Sequence, residues 1–141
     1  MDKLAFLQNW FQRVWIDGDL DAIGEFFTPN SQAAGVMQGL DLRPEDFEEL
    51  IPALMRMMSS PTVTILRHLE TEDWLWALLV VRAKTADTLA PIEFTAQVAM
   101  RFDDGRIAEA FNHFDLLSFF EQLGVLPPEA MALFLSGESL A

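Results

Sequence analysis

The chain of 141 residues contains no cysteine, no tyrosine, only two histidines and few basic side chains. Without cysteine there are no disulfides, zinc–thiolate sites or thiol nucleophiles. Lys and Arg number 9 against 22 Asp and Glu, which gives a formal net charge of -13. Because a nucleic-acid binder needs basic side chains to neutralise phosphates, we expect no nucleic-acid partner, and the same repulsion disfavours an anionic membrane surface.

Long apolar runs are missing as well. The longest run extends from Trp74 to Val81, far short of the ~20 residues that a membrane-spanning helix needs. The segment Met1–Gln12 carries an aspartate and several polar residues, and it does not resemble a secretory signal. We therefore expect a cytoplasmic protein with no membrane partner.

What the chain does contain is apolar and aromatic. Hydrophobic residues make up 51% of it, and there are 12 Phe and 4 Trp. A chain of this length buries roughly 68–70% of the surface that its unfolded form exposes, which is enough for a stable core. We expect one domain over residues 1–141, since no linker or repeat interrupts the sequence.

Helical spacing dominates the first part of the chain. Asp2 is a suitable N-cap, and Gly18 is a suitable stop. Between them, apolar residues recur at intervals of three and four and form one stripe: Leu4, Leu7, Trp10, Phe11 and Val14.

Two further helices are predicted before the strands begin. The first runs from Asp19 to Phe27 and is ended by Pro29, since proline disfavours a helical backbone conformation in the residue before it. The next begins at Pro44, which suits a first helical turn, and Pro52 should kink or divide it.

Strand periodicity follows from residue 62 onward. A short strand is predicted earlier, near Ala33–Met37, and Asp103–Gly105 is a strong hairpin turn. Four long strands are predicted to form an antiparallel meander: Thr62–Glu70, Trp74–Lys84, Ile92–Phe102 and Arg106–Phe114. Helical spacing returns at Leu116–Leu123 and in a last short helix that ends near Gly137, so the order of elements predicts an α+β fold.

The last predicted strand carries the strongest candidate site. If it alternates strictly, one face presents five side chains in a row: Ile107, Glu109, Phe111, His113 and Asp115. Carboxylates and an imidazole on a half-buried face can move protons near neutral pH, because burial raises the pKa of a carboxyl group. Asp115, His113 and Glu109 are therefore the candidate catalytic residues.

Each of these three residues has a structural alternative. Asp115 lies at a strand-to-helix junction, where aspartate is a preferred N-cap. Glu109 could simply pair with Arg101 across the turn, and His113 could be a partly buried histidine with no chemical role. The candidate ligand contacts are Asn112, Phe111, Gln97, Arg101 and His68.

No metal site and no cofactor are expected. Two histidines are too few for a histidine-rich site, and no glycine-rich nucleotide motif is present. Asp17–Asp21 resembles the start of a calcium loop, but that loop needs Gly and Glu where this chain has Ala22 and Thr28.

Three amphipathic helices, a four-strand meander and the segment GRIAEAFNHFDLLSFFEQLG, which contains the last of these strands, resemble the nuclear transport factor 2-like superfamily and, within it, the SnoaL-like polyketide-cyclase branch. Members show a strand of the form G-(K/R)-I-x-E-x-(W/F)-x-x-x-D, followed by an apolar helix that ends in Q-L-G. The opening FLQNWFQRVWIDGDLDAIGEFF is also similar. The matching positions of the strand and helix are Gly105, Arg106, Ile107, Glu109, Phe111, Asp115, Gln122, Leu123 and Gly124.

This resemblance implies a cone-shaped, cystatin-like α+β roll, in which N-terminal helices pack on a strongly curved antiparallel sheet and a helix follows. It also implies a pocket between these layers, a homodimer through the outer sheet face and, as in the cyclases, a general acid/base at Asp115. The missing tyrosine disfavours the ketosteroid isomerase and epoxide hydrolase mechanisms known on this fold. Phe111 also replaces the commoner tryptophan.

Three functions stay open on the sequence. A cofactor-independent isomerase, cyclase or lyase for an apolar ring or ketone requires a pocket that reaches Asp115. A non-catalytic binder of a small hydrophobic molecule requires the same pocket with Asp115 engaged in backbone caps. A dimeric interaction protein predicts a pocket filled by Phe and Met side chains.

Overall fold

The computed structural model describes residues 1–35 and 41–141. Helix α1 spans Lys3–Asn9, and the Asp2 carboxylate caps it by accepting a hydrogen bond from the Ala5 N–H at 3.0 Å. The chain then continues as a π-helix over Trp10–Ile16, which we call the π segment. The first predicted helix is thus confirmed, but its second half has the wider π-helical turn.

The second predicted helix is confirmed as a 3-10 turn over Leu20–Ala22 that continues into helix α2 over Ile23–Phe26. Strand β1 then begins directly at Phe27 and runs to Ala34. Pro29 therefore lies inside a strand and does not end a helix. Because β1 is an edge strand and its pairing is interrupted between Phe27 and Gln32, the missing proline N–H is tolerated there.

The four long predicted strands are confirmed and form one sheet with β1. They are β2, β3, β4 and β5, spanning Met58–Glu70, Trp74–Thr85, Pro91–Asp103 and Arg106–Phe114. The order across the sheet is β1-β5-β4-β3-β2, with β2 to β5 antiparallel and β1 parallel to β5. The strand predicted near Ala33–Met37 overlaps the end of β1, and its last two residues lie outside the described ones.

Three more α-helices follow β1 in the part of the chain that the structure describes, the first of them preceded by a 3-10 turn over Pro44–Asp46. Helix α3 spans Phe47–Met55 and continues through Pro52 instead of being divided there. Helix α4 spans Leu116–Leu123, and α5 spans Ala130–Leu135. Gly124 ends α4 in the left-handed conformation with φ +83°, as a glycine after the last helical turn permits.

One face of the sheet is covered by the helices, and we call it the inner face. Its buried side chains alternate along the central strands: Leu75, Ala77 and Leu79 on β3, and Ala96, Val98 and Met100 on β4. They pack with Leu7, Trp10 and Val14 of the N-terminal helical layer, and a second cluster joins Phe119 of α4 to Phe94 of β4. The α+β class is therefore confirmed.

A β-bulge in β5 decides which side chains reach this inner face. Arg101 and Phe102 are consecutive in β4, but their partners Glu109 and Ile107 are separated by Ala108. The extra residue shifts the alternation of side chains by one position from there on.

The face predicted from strict alternation is consequently wrong. Ile107 is buried on the inner face, and so are Ala110 and Asn112 beyond the bulge. Glu109, Phe111 and His113 follow the opposite alternation and lie on the outer face, which no helix covers in the described part of the chain.

Candidate functional site

An apolar cavity lies between the inner face of the sheet and the helices. The cavity is narrow and measures about 490 Å³ with the part open to solvent included. Every lining side chain is apolar: Phe11, Trp15, Ile16, Leu54, Met55, Met58, Pro61, Val63, Val81, Phe94, Phe114, Leu116 and Phe119. Such a wall favours an uncharged molecule, because an unpaired charge is expensive to bury.

The sheet side of the apolar cavity follows directly from strand register. Val63, Val81 and Phe94 are partners across β2, β3 and β4, so their side chains lie in one row on the inner face. Phe114 joins them from the end of β5, where it pairs with Ala96. The helical side is supplied by the π segment, α3 and α4.

Trp15 packs its ring against two phenylalanines of this apolar wall. Its ring centroid lies 6.3 Å from that of Phe11 and 6.2 Å from that of Phe114. Its indole N–H is buried and has no hydrogen-bond partner among the residues that the structure describes. An unpaired buried donor costs about 1–3 kcal/mol. Sequence reasoning missed Trp15, because an aromatic residue four positions after Phe11 is typical of an ordinary core stripe.

The π segment that carries Trp15 is fixed at its C-terminal end. The Asp17 N–H donates to the Gln12 carbonyl, five residues back, at 2.8 Å. The Arg13 guanidinium contacts Asp19 at 3.0 Å and Glu25 at 2.8 Å. The hydrogen bond to Asp19 is the main cause that raises the pKa of Arg13 above its ordinary value. π-helical turns are rare and occur often at functional sites.

Asp115 is placed at the start of α4. Its carboxylate accepts a hydrogen bond from the Ser118 N–H at 3.1 Å, and its own N–H donates to the Thr95 carbonyl at 3.0 Å. The N-cap alternative is therefore confirmed. The side chain is exposed and does not line the apolar cavity, although its neighbours Phe114 and Leu116 do. Its acid–base role stays a prediction.

Five of the predicted site residues gather on the outer face of the sheet, away from the apolar cavity. They are Glu109, Phe111 and His113 on β5, and Gln97 and Arg101 on β4. Arg101 Nε contacts Glu109 Oε2 at 3.0 Å, so the predicted pairing is confirmed. Gln97 lies opposite His113 and accepts a hydrogen bond from the Trp76 indole N–H at 3.1 Å.

The two remaining predicted residues lie apart. Asn112 is on the inner face, where it is buried at 7% exposure. A Cβ atom at Gly35, where φ is +92°, would lie 2.5 Å from the Asn112 carbonyl oxygen, so only glycine allows the chain to pass there. His68 is exposed on β2, with Nε2 4.0 Å from Glu70 Oε1.

Two properties of the described residues, 1–35 and 41–141, bear on the kind of site. No helix among them is long and apolar enough to cross a membrane. No group of three or more His, Asp or Glu side chains in the same part of the chain is arranged to hold a metal ion.

The fold is that of a class of small α+β proteins in which helices pack over a curved sheet and a cavity lies between the helices and the sheet. A profile of the SnoaL-like domain family matches residues 7–110, and the chain belongs to this family. The matched span ends before Asp115. No curated protein matches the chain at a significant level.

Solved structures agree with this assignment. IdmH from Streptomyces antibioticus, a proposed polyketide cyclase, is 20% identical with a TM-score of 0.75, over 88% of this chain and 99% of that chain. AclR from Streptomyces galilaeus, a proposed hydroxylase, is 17% identical with a TM-score of 0.73, over 95% and 88%. A proposed polyketide cyclase from Bacillus cereus is 23% identical with a TM-score of 0.71, over 82% and 76%. The likeness confirms the predicted cone-shaped α+β fold.

Proposed function

We propose that this protein binds a small, uncharged, apolar molecule in the apolar cavity. The observation that carries the proposal is the wall of the cavity. Every lining side chain is apolar, and the side chains come from the sheet, the π segment, α3 and α4. Binding sites for small molecules are concave and mostly apolar, and they add a few polar groups for orientation. The narrow space limits the ligand to a compact molecule, unless the flexible Met55 and Met58 side chains move aside.

Thermal unfolding in the presence of compact apolar compounds tests this proposal even though the natural ligand is unidentified. A compound that binds only the folded protein stabilises it by about 2.7 kcal/mol at one hundred times its Kd, so Tm rises with concentration. Cyclic hydrocarbons and cyclic ketones of six to ten carbon atoms are suitable probes, to be used up to their solubility limit. If none of them raises Tm, the proposal is overturned.

Catalysis by Asp115 is the second candidate function. It would be an isomerase, cyclase or lyase reaction in which Asp115 acts as general acid/base on a ring or ketone. The observation that favours it is position, since the residues on either side of Asp115, Phe114 and Leu116, both line the apolar cavity.

Substitutions of Asp115 separate the cap from the acid–base role. Asp115→Asn keeps a good N-cap, so we expect unchanged stability and unchanged ligand binding; Asp115→Ala should cost about 1 kcal/mol of stability through the lost cap. If the protein is an enzyme, Asp115→Asn should also lower turnover by roughly 10²–10⁴-fold. Urea denaturation and ligand titration of the two variants measure these effects. A large loss of stability in Asp115→Asn would contradict the cap argument.

A homodimer through the outer face of the sheet also stays a proposal. Trp74 and Phe111 stack there with ring centroids 6.4 Å apart, and Phe111 is exposed. Because each copy carries a net charge of -13, repulsion opposes association and salt screens it. We expect the dimer fraction in sedimentation equilibrium to rise between low salt and about 0.5 M NaCl, where the Debye length has fallen below about 8 Å. A dimer that dissociates on addition of salt would contradict this expectation.

A further inference from the structure

A groove open to solvent lies beside the apolar cavity, between the N-terminal helical segment and strand β2. It measures about 610 Å³ with the part open to solvent included. Four side chains line both the groove and the apolar cavity: Phe11, Ile16, Pro61 and Val63. The groove therefore borders the apolar cavity, and we call it the side groove.

The side groove supplies the polar groups that the wall of the apolar cavity lacks. Gln8 and Gln12 line it from the helical side, and their spacing of four residues places them on one face. β2 lies at the edge of the sheet, so its backbone groups that face away from β3 meet no further strand in the described part of the chain. Sites for small molecules are mostly apolar with a few polar groups that orient the ligand, and the two spaces together fit that description.

The chemistry of the side groove favours an uncharged head group that donates a hydrogen bond. No charged side chain is among the described residues that line it. Gln12 Nε2 donates to Asp17 Oδ1 at 2.8 Å, so the Gln12 carbonyl oxygen is the acceptor that this amide offers to a ligand. An anionic head group would lie close to the Asp17 carboxylate, in a chain whose net charge is already -13.

The backbone is irregular on both walls of the side groove. The π segment contributes Phe11 and Ile16 on one wall. On the other wall, the pairing of β2 is interrupted between Ser59 and Thr62, and Ser60 has φ +54°. A left-handed residue with a side chain costs about 1–3 kcal/mol, and such positions cluster at functional sites, as π-helical turns and β-bulges also do.

We propose that the side groove binds the polar end of a ligand whose apolar body occupies the apolar cavity, and that this polar end is a hydroxyl group. The inference rests on the proposed binding function and adds the ligand class: a compact alicyclic alcohol in which a short chain separates the hydroxyl group from the ring. The hydroxyl group donates to the Gln12 carbonyl oxygen and accepts from the Gln8 amide. An ether of the same size lacks the donor.

Three compounds with equal numbers of heavy atoms test the inference: 2-cyclohexylethanol, (methoxymethyl)cyclohexane and propylcyclohexane. Their Kd values are measured by titration against the wild type and against the double variant Gln8→Met/Gln12→Met, which keeps side-chain length but removes both amides. Because water solvates the alcohol better than the hydrocarbon, the deciding number is the change in the alcohol-to-hydrocarbon affinity ratio between the two proteins. We expect this ratio to fall about tenfold in the double variant, which corresponds to about 1.4 kcal/mol. The ether-to-hydrocarbon ratio should change much less.

Gln97→Met is the matched control. It makes the same substitution on the outer face of the sheet, away from both spaces, and should keep the wild-type ratios. A readout on the wild type does not depend on how well the double variant folds. The side-chain amide signals of Gln8 and Gln12 in the ¹H–¹⁵N spectrum should shift when 2-cyclohexylethanol binds and much less when propylcyclohexane binds.

The outcomes distinguish this inference from the proposed function. If the compounds bind and the alcohol-to-hydrocarbon ratio is the same in the wild type and the double variant, the role of the side groove is overturned while apolar binding stands. Equal changes for the alcohol and the ether overturn the assignment of a hydroxyl group. Amide signals that do not respond to bound alcohol overturn the contact with Gln8 and Gln12. If none of the three compounds binds, the proposed function fails and the inference fails with it.

Discussion

Val81→Phe is expected to lower the affinity for apolar ligands by at least about tenfold, or about 1.4 kcal/mol, while the protein stays folded. Val81 lies in the middle of the row formed with Val63 and Phe94, so a larger side chain there projects into the apolar cavity. Overpacking a core costs typically ~1–3 kcal/mol, and the existing void absorbs part of that strain. The ring therefore occupies space that a ligand needs.

Two matched variants control for this effect. Val125→Phe adds the same ring at an exposed position outside the apolar cavity and should leave ligand affinity unchanged. Val81→Ala widens the cavity and should favour a slightly larger ligand than the wild type does. Calorimetric titration with one apolar ligand across the four proteins provides the comparison. Wild-type affinity in Val81→Phe would show that the ligand binds elsewhere.

Phe119→Ala is expected to have the largest effect on stability, a loss of about 3–5 kcal/mol in the free energy of unfolding. Phe119 is 1% exposed, and its ring lies 4.9 Å from Phe94 and 5.4 Å from Phe120 between centroids. It joins α4 to the sheet, so its removal leaves a void that the surrounding side chains fill only partly. For a domain whose total stability is ~5–15 kcal/mol, this is a large share.

Urea denaturation at constant protein concentration measures the loss. The control is Phe134→Ala in α5, which removes the same atoms from a side chain that is 37% exposed. This variant should lose less than about 1 kcal/mol in the free energy of unfolding. Benzene should raise the Tm of Phe119→Ala more than that of the wild type, because an apolar void of benzene size binds benzene. Equal losses in the two alanine variants would contradict the packing that we assign to Phe119.

Much of the architecture could be read from the chain, because it depends on neighbours along the sequence. Alternation over Ile92–Phe102 and the Asp-Gly pair at 104–105 specify strands and a hairpin locally. Asp115 and Gly124 define the two ends of α4 through a side-chain cap and a left-handed residue. The same local signals are what makes the family resemblance visible.

The candidate site was predicted less well, since its geometry depends on contacts between distant segments. The bulge at Ala108 lies where β5 pairs with β4 on one side and with β1 on the other. The order of polar and apolar residues along β5 does not reveal it. The bulge moves Glu109 and His113 to the outer face. Sequence reasoning therefore predicted the strand itself but assigned these side chains to the wrong face of the sheet.

The sequence by itself determined an apolar, acidic α+β chain, and it offered the capping of α4 by Asp115 and the pairing of Arg101 with Glu109 as alternatives that the structure confirms. Each of these depends on composition, local spacing or a single turn. Only the tertiary structure decided that the apolar cavity has no charged wall residue, and that the Trp15 N–H is buried without a partner among the residues that the structure describes. Whether a buried donor is satisfied depends on what the rest of the fold brings within about 3 Å of it, because a hydrogen bond requires that proximity.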